Sequence, residues 1–142
     1  MNLAITCGLP CSGKSDLAYQ LQERGWVYLN PASFREALCG EDYRPEVDNM
    51  VWAIMETAAR ALLIEGYDVL VGGMNPTSDK RMRWSRMAKS FGFRLQIHYA
   101  NLNAEDCIAR CNPEERDPET IKKAARYFRK PTKYEGEIIK LY

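Results

Sequence analysis

The sequence predicts an α/β domain, a parallel sheet of about five strands with helices on both faces, and three observations predict it. Short apolar runs alternate with longer stretches of helical spacing along the whole chain. The first run leads straight into a glycine-rich loop and a helix. Glycines and prolines punctuate most of the junctions, and no internal repeat or low-complexity region is visible. The 142 residues allow one domain with a proper core, residues 1–142, and are too few for two ordinary ones.

Leu3-Ala4-Ile5-Thr6-Cys7 suits a buried parallel strand. Gly8-Leu9-Pro10-Cys11-Ser12-Gly13-Lys14-Ser15 follows it and fits the pattern G-x-x-x-x-G-K-S/T at every fixed position. Average residue usage gives such a match in a chain of this length roughly 0.5% of the time, so accident is a poor explanation. From Lys14 the chain has helical character, with Leu17, Ala18 and Leu21 on one face. Strand, loop and helix in this order make a phosphate site: glycines let backbone N–H groups turn inward, and the helix N-terminus adds its positive dipole end. Gly8, Pro10, Cys11, Ser12, Gly13, Lys14 and Ser15 are therefore read as a nucleoside triphosphate site, with Cys11 contributing backbone only. Lys14 would reach the β- and γ-phosphates, and the Ser15 hydroxyl would ligate Mg²⁺.

Gly25 closes the first helix, and Trp26-Val27-Tyr28-Leu29 reads as the second strand, ended by Asn30-Pro31. Ser33 can cap a short helix through Leu38 that carries Arg35. A polar stretch at residues 39–45 leads to a long helix over residues 46–65, with Val47, Val51, Ile54, Met55, Ala58 and Leu62 at helical spacing. Asp68-Val69-Leu70-Val71 is the third strand, broken by Gly72-Gly73, and Asn75-Pro76-Thr77 opens a basic helix to about residue 91. Residues 94–99 alternate as a fourth strand, and Asn103 starts a helix that runs to Cys111. The charged segment 112–118 reads as a mobile connection, residues 118–128 as a helix, and residues 137–141 as a last strand. In such a sheet the crevice lies at the strand C-termini. Residues 8–15, 30–35 and 72–75 all follow a strand C-terminus and are expected to converge, whereas Asp68 begins a strand and falls at the opposite edge.

Five cysteines, Cys7, Cys11, Cys39, Cys107 and Cys111, make an odd number without a disulfide-framework spacing, which agrees with a reducing compartment and with thiols. Cys107 and Cys111 could join His98 around a metal, but no fourth ligand is apparent, and no structural metal is expected. His98 is read as a core or edge residue. No apolar run approaches the roughly 20 residues that span a bilayer. Met1-Asn2-Leu3 runs directly into the first strand, so the reading is cytoplasmic, without a membrane partner. The net charge of +1 says little by itself. Its distribution says more: Lys80, Arg81, Arg83, Arg86, Lys89 and Arg94 form one run without acids, and Lys122, Lys123, Arg126, Arg129, Lys130 and Lys133 crowd the tail. Such runs are either solvated faces or a phosphate-backbone contact surface.

Several fragments together resemble the small P-loop kinases of the polynucleotide 5′-hydroxyl kinase type. They are the loop, Asn30-x-x-x-x-Arg35, Asn75, Arg110-Cys111-Asn112 followed by Arg116, and Phe128-x-x-Pro131-Thr132-x-x-Glu135-Gly136. The resemblance implies a three-layer P-loop kinase fold with an arginine-bearing lid. It also implies ATP and Mg²⁺ as cofactors and transfer of the γ-phosphate to the 5′-hydroxyl of a single-stranded nucleic acid. By the same resemblance Lys14 neutralises the phosphates, Arg110 and Arg116 close over ATP, Arg35 contacts the acceptor side, and Asn75 helps to hold the acceptor or the metal-bound water. Lys80, Arg81 and Arg83 are the expected polynucleotide contacts.

Two departures matter. The family's proton-accepting aspartate stands three residues before the arginine, where this chain has Ala32, and a second aspartate after the third strand is replaced in Gly72-Gly73. Neither alanine nor glycine can take a proton, and loss of a positioned base costs typically 10²- to 10⁴-fold in rate. Three accounts compete: a degenerate kinase that still binds nucleotide, a displaced carboxylate among Glu36, Glu41, Asp42 and Asp48, or a chain altered at these positions. A kinase for a nucleoside or another small metabolite is the remaining alternative.

Overall fold

The computed structural model describes residues 1–40 and 44–142. Its strands are β1 (Leu3–Cys7), β2 (Val27–Leu29), β3 (Val69–Val71), β4 (Gln96–Tyr99) and β5 (Glu137–Lys140). They form one five-stranded sheet in the order β2-β3-β1-β4-β5, with every neighbouring pair parallel. All five residues of β1 are buried, as a central strand covered on both faces requires. The expected α/β architecture is thus observed, and its strand boundaries lie within two residues of those read from the sequence.

The helices are α1 (Lys14–Glu23), α2 (Pro31–Cys39), α3 (Asp48–Ile64), α4 (Ser78–Ser90), α5 (Ala104–Arg110) and α6 (Pro118–Tyr127), with a 3₁₀ turn at Pro45–Val47 before α3. On one face of the sheet, Val51, Met55, Ala59 and Leu63 of α3 and Trp84, Met87 and Ala88 of α4 pack on Leu3, Ile5, Val69, Val71 and Ile97. On the other, Ala18 and Leu21 of α1 cover Ala4 and Leu70. A third cluster joins Leu9 to Cys107 of α5 and Ile121 and Ala124 of α6, which seats the lid helices beside the glycine loop. Asn30, not Ser33, caps α2: its side-chain oxygen accepts from the Ala32 N–H at 3.0 Å, with Pro31 in the first helical position. That pairing satisfies one orphan N–H and pre-sets the first turn, so the helix starts three residues earlier than a Ser33 cap would place it.

Inside the fold lies an ion pair that the charge run concealed. Arg81 and Glu135 are buried, and Arg81 Nε donates to Glu135 Oε2 at 2.5 Å. Arg81 Nη1 also donates to the Asn75 carbonyl at 2.8 Å, and Glu135 Oε1 accepts from the Thr132 N–H at 3.1 Å. The expectation that Arg81 touches a polynucleotide is therefore corrected: its guanidinium is used internally, tying α4 to the turn before β5 and to the loop after β3. The Pro-Thr-x-x-Glu-Gly tail has a structural reason here, because Thr132 and Glu135 supply the two ends of that turn.

Candidate active site

The β1–α1 loop wraps a helix start that has no side chain of its own to cap it. Gly13 is the N-cap of α1 in a left-handed conformation, φ 92°, and no side-chain hydrogen bond caps the first turn. A Cβ there would also stand 2.5 Å from the Tyr142 hydroxyl. The outward amides and the dipole end of α1 suit an anion. Lys14 Nζ donates to the Gly8 carbonyl at 2.9 Å and to the Leu9 carbonyl. Ser12 Oγ donates to the Leu9 carbonyl at 2.6 Å, holding the loop in shape. Burial pulls the Lys14 ammonium down from its ordinary value to about 8, and the positive charge of Arg116 pushes the same way. A cation held among carbonyls at this cost fits a polyanionic ligand that restores its charge.

This loop forms one wall of a cleft of about 770 Å³ at the C-terminal edge of the sheet. Pro10, Cys11, Ser12, Gly13, Lys14 and Ser15 line it, as do Ala32, Arg35, Asn75, Lys80, Arg83, Arg110 and Arg116. The three loops expected to converge do so. Gly8 lies just behind the wall, giving its N–H to the Met74 carbonyl at 3.0 Å, and Arg81 lies in the core. Asp68 stands at the far edge of the sheet, accepting from Asn2 Nδ2 at 2.9 Å.

Between α2 and α3, Arg35 Nε donates to Asp48 Oδ1 at 2.8 Å, and Trp52 Nε1 donates to Asp48 Oδ2 at 3.3 Å. The carboxylate at the start of α3 thus orients a guanidinium on α2. Of the four carboxylates weighed as substitutes for the missing base, Asp48 lines the cleft and Glu36 is exposed outside it, while Glu41 and Asp42 lie outside the described residues. Arg83 pairs with Glu56 at 3.1 Å at the cleft's rim. Asn75 is buried with φ 44°, and its side-chain amide donates to the Thr6 carbonyl at 2.7 Å. That amide fastens the loop after β3 to β1 and leaves less of the residue to hold an acceptor than the resemblance implied.

The two departures have different physical settings. Ala32 is exposed in the first turn of α2 and lines the cleft, so a carboxylate there would meet open space and a favourable helix dipole. Gly72 is crowded: a Cβ there would stand 2.9 Å from the edge and the hydroxyl of the Tyr28 ring and 3.2 Å from Pro31. The Tyr28 ring fills the space that a side chain at residue 72 would enter.

Two features of the site escaped the sequence. Cys11 and Cys111 are joined by a disulfide, with Cα atoms 5.4 Å apart, where free thiols and a backbone-only role for Cys11 were expected. Because β1 pairs with β4, the loop after β1 lies close to the chain that follows β4, and residues 100 apart in sequence meet. Cys7 and Cys107 remain buried thiols, and Cys111 is not available as a metal ligand in this form. His98 is buried on β4, as read. Tyr142 is the second feature. Its hydroxyl donates to the Ser12 carbonyl at 2.9 Å and accepts from Arg110 Nη1 at 2.6 Å, with the guanidinium 5.1 Å from the ring centroid. No local signal in the sequence marks this residue.

A family described as an AAA domain matches residues 3–131. The chain belongs to this AAA-domain family. A comparison with curated proteins finds no match. Among solved structures, the AAA domain is similar to a chain of the Pnkp1/Rnl/Hen1 RNA repair complex, with a TM-score of 0.70, 22% identity and 89% of this chain covered. It spans 43% of that longer chain. A Chloroflexus aurantiacus protein described as a candidate kinase has a TM-score of 0.77 at 16% identity, covering 99% of this chain and 84% of that one. The Mycobacterium tuberculosis APS kinase CysC, solved with AMPPNP and APS, has a TM-score of 0.66 at 19% identity, covering 99% and 88%. The AAA domain therefore has the P-loop kinase-like fold, a five-stranded parallel sheet with flanking helices. Among the described residues no helix is long and apolar enough to cross a membrane.

Proposed function

We propose that the chain is an ATP-dependent phosphotransferase that passes the γ-phosphate of ATP to the 5′-hydroxyl of a nucleic acid. One observation carries the reading: a single cleft is lined by the glycine loop with its half-buried Lys14 and by Arg35, Lys80 and Arg83. Similarity to a chain of an RNA repair complex supports the acceptor class.

The residues present fit the ligands that this implies. The loop amides and the start of α1 suit the phosphates, and Lys14 supplies a charge toward the transferring group. Ser15 offers a hydroxyl to Mg²⁺, whose remaining positions phosphate oxygens and water would fill. Bound Mg²⁺ supplies neutralisation of the phosphate oxygens. Arg110 and Arg116, on the lid that follows β4, stabilise charge on the leaving side, while Arg35, held by Asp48, positions the acceptor. Positioning and charge are most of what phosphoryl transfer asks of a protein, so the scaffold retains these groups even where Ala32 replaces a base.

The deciding experiment compares the unmodified chain, Ala32→Asp and Asp48→Asn for γ-phosphate transfer to a 5′-hydroxyl oligonucleotide and to a free nucleoside. Ala32→Asp is expected to raise transfer to the oligonucleotide by about 10²- to 10⁴-fold, the usual contribution of a positioned base. Transfer by the unmodified chain that disappears in Asp48→Asn would instead assign the base role to Asp48. Transfer to nucleosides alone would replace the polynucleotide reading by the small-metabolite one. A nucleotide-binding protein without turnover is the second reading, favoured by Ala32 together with the filled space beside Gly72. It requires ATP binding with no transfer by any of the three.

The depressed Lys14 gives a pH dependence. Phosphates favour the charged ammonium, so nucleotide binding should draw a proton onto Lys14 where the free protein has lost it. ATP affinity is expected to be highest below about pH 8 and to fall as the pH rises past it. Calorimetry near pH 8 in two buffers of different ionisation enthalpy should show proton uptake. Binding that releases protons there would contradict the role given to Lys14.

A further inference from the structure

We propose that the Cys11–Cys111 bond is a reversible redox latch that fastens the lid to the phosphate loop and gates the passage of nucleotide. The bond's position makes the case. Cys11 occupies a variable position of the glycine loop, in a left-handed conformation with φ 63°, and Cys111 is the residue at which α5 ends. Residues 111–117 then run between α5 and α6 and carry Arg116 into the cleft. A covalent link at the base of that segment holds the lid arginines over the loop whether or not a ligand is bound. Both sulfurs belong to residues that line the cleft and are partly exposed, so a small thiol or a redox protein can reach them.

None of the other three cysteines lines the cleft. Cys7 and Cys107 are fully buried, and burial pushes the Cys7 thiol up to about 11 and the Cys107 thiol above its ordinary value. Such thiols supply almost no nucleophilic thiolate at neutral pH. Cys39 is at the end of α2 and does not line the cleft. The Cα separation of 5.4 Å lies inside the ordinary range for a disulfide.

The chemistry balances with a low-molecular-weight disulfide as oxidant. One thiolate of the pair attacks a sulfur of that disulfide and expels a thiolate. The second then attacks the mixed disulfide and expels the other. Two protein thiols are oxidised, and one external disulfide is reduced to two thiols that take up the two protons. A dithiol reductant reverses both steps. When the bond is cut, the Arg110–Tyr142–Ser12 hydrogen bonds still bridge lid and loop, but these can open thermally. The latch regulates the nucleotide site assigned under the proposed function, and its test includes a readout independent of that reading.

The full chain is equilibrated with oxidised or reduced glutathione, the disulfide is mapped by peptide mass spectrometry, and amide hydrogen exchange is followed over residues 111–117 without nucleotide. Stopped-flow association of a fluorescent ATP analogue is measured on the same samples. The oxidised chain should carry the 11–111 bond, exchange the lid amides more slowly, and associate with nucleotide about tenfold or more slowly, because the opening step is forbidden. Cys111→Ser should abolish the difference between the two redox conditions. Failure of the bond to form, or identical lid exchange in both forms, overturns the latch. If neither form binds nucleotide, the proposed function fails, and lid exchange alone decides whether the tether is real. Nucleotide association that is equally fast in both forms overturns the gating.

Discussion

Lys14→Ala should lower γ-phosphate transfer by on the order of 10³-fold or more, in the unmodified chain or in the Ala32→Asp background, whichever turns over. The expectation rests on where the ammonium sits. It is held by the Gly8 and Leu9 carbonyls at the mouth of the loop, and burial has already weakened its hold on a proton. Alanine leaves the developing charge on the transferring oxygens without its nearest protein cation. The substitution should weaken ATP binding as well, which can be read by calorimetry even in a chain that does not turn over. ATP bound with unchanged affinity by the variant would sink the assignment. The fold should survive, because the hydrogen bonds of the Lys14 ammonium stay within the β1–α1 loop.

The second large effect concerns stability. Removing one member of the Arg81–Glu135 pair strands the other charge, and breaking a buried pair in this way costs about 3–5 kcal/mol. Against the usual range of about 5–15 kcal/mol for a whole domain, Arg81→Ala or Glu135→Ala should lose a large share of the stability. Urea unfolding measures the loss directly. The double variant Arg81→Met with Glu135→Leu should recover much of it, since neither charge is then left unpaired. A loss below about 1 kcal/mol in the single variants would mean that water reaches the pair and that it behaves like a surface salt bridge.

The elements were legible because their signals are local. Val51 and Met55 on α3, Ala18 and Leu21 on α1, and the glycine loop each declare themselves within a few residues, and the structure places them as read. The convergence of three loops on one cleft followed from strand direction alone. Arg81 looks like a surface residue by its charge, but not by its phase. It lies on the same helical stripe as Trp84 and Ala88, at i, i+3 and i+7, and that spacing marked it as inward-facing despite its charge. Asn30 was read only as the end of a strand, although an Asn-Pro pair also begins helices. The 11–111 disulfide and the Tyr142 contact depend on segments that meet through the sheet, and no window of sequence contains both partners. The crowding at Gly72 is of the same kind, since Tyr28 acts on it from a different strand.

That crowding makes positions 32 and 72 unequally open to a carboxylate. A return to aspartate at residue 32 is a single step into open space. At residue 72 the same step requires the far end of the Tyr28 ring, 2.9 Å from the new Cβ, to swing aside. Random mutagenesis selected for phosphoryl transfer should therefore travel through position 32 more readily than through position 72.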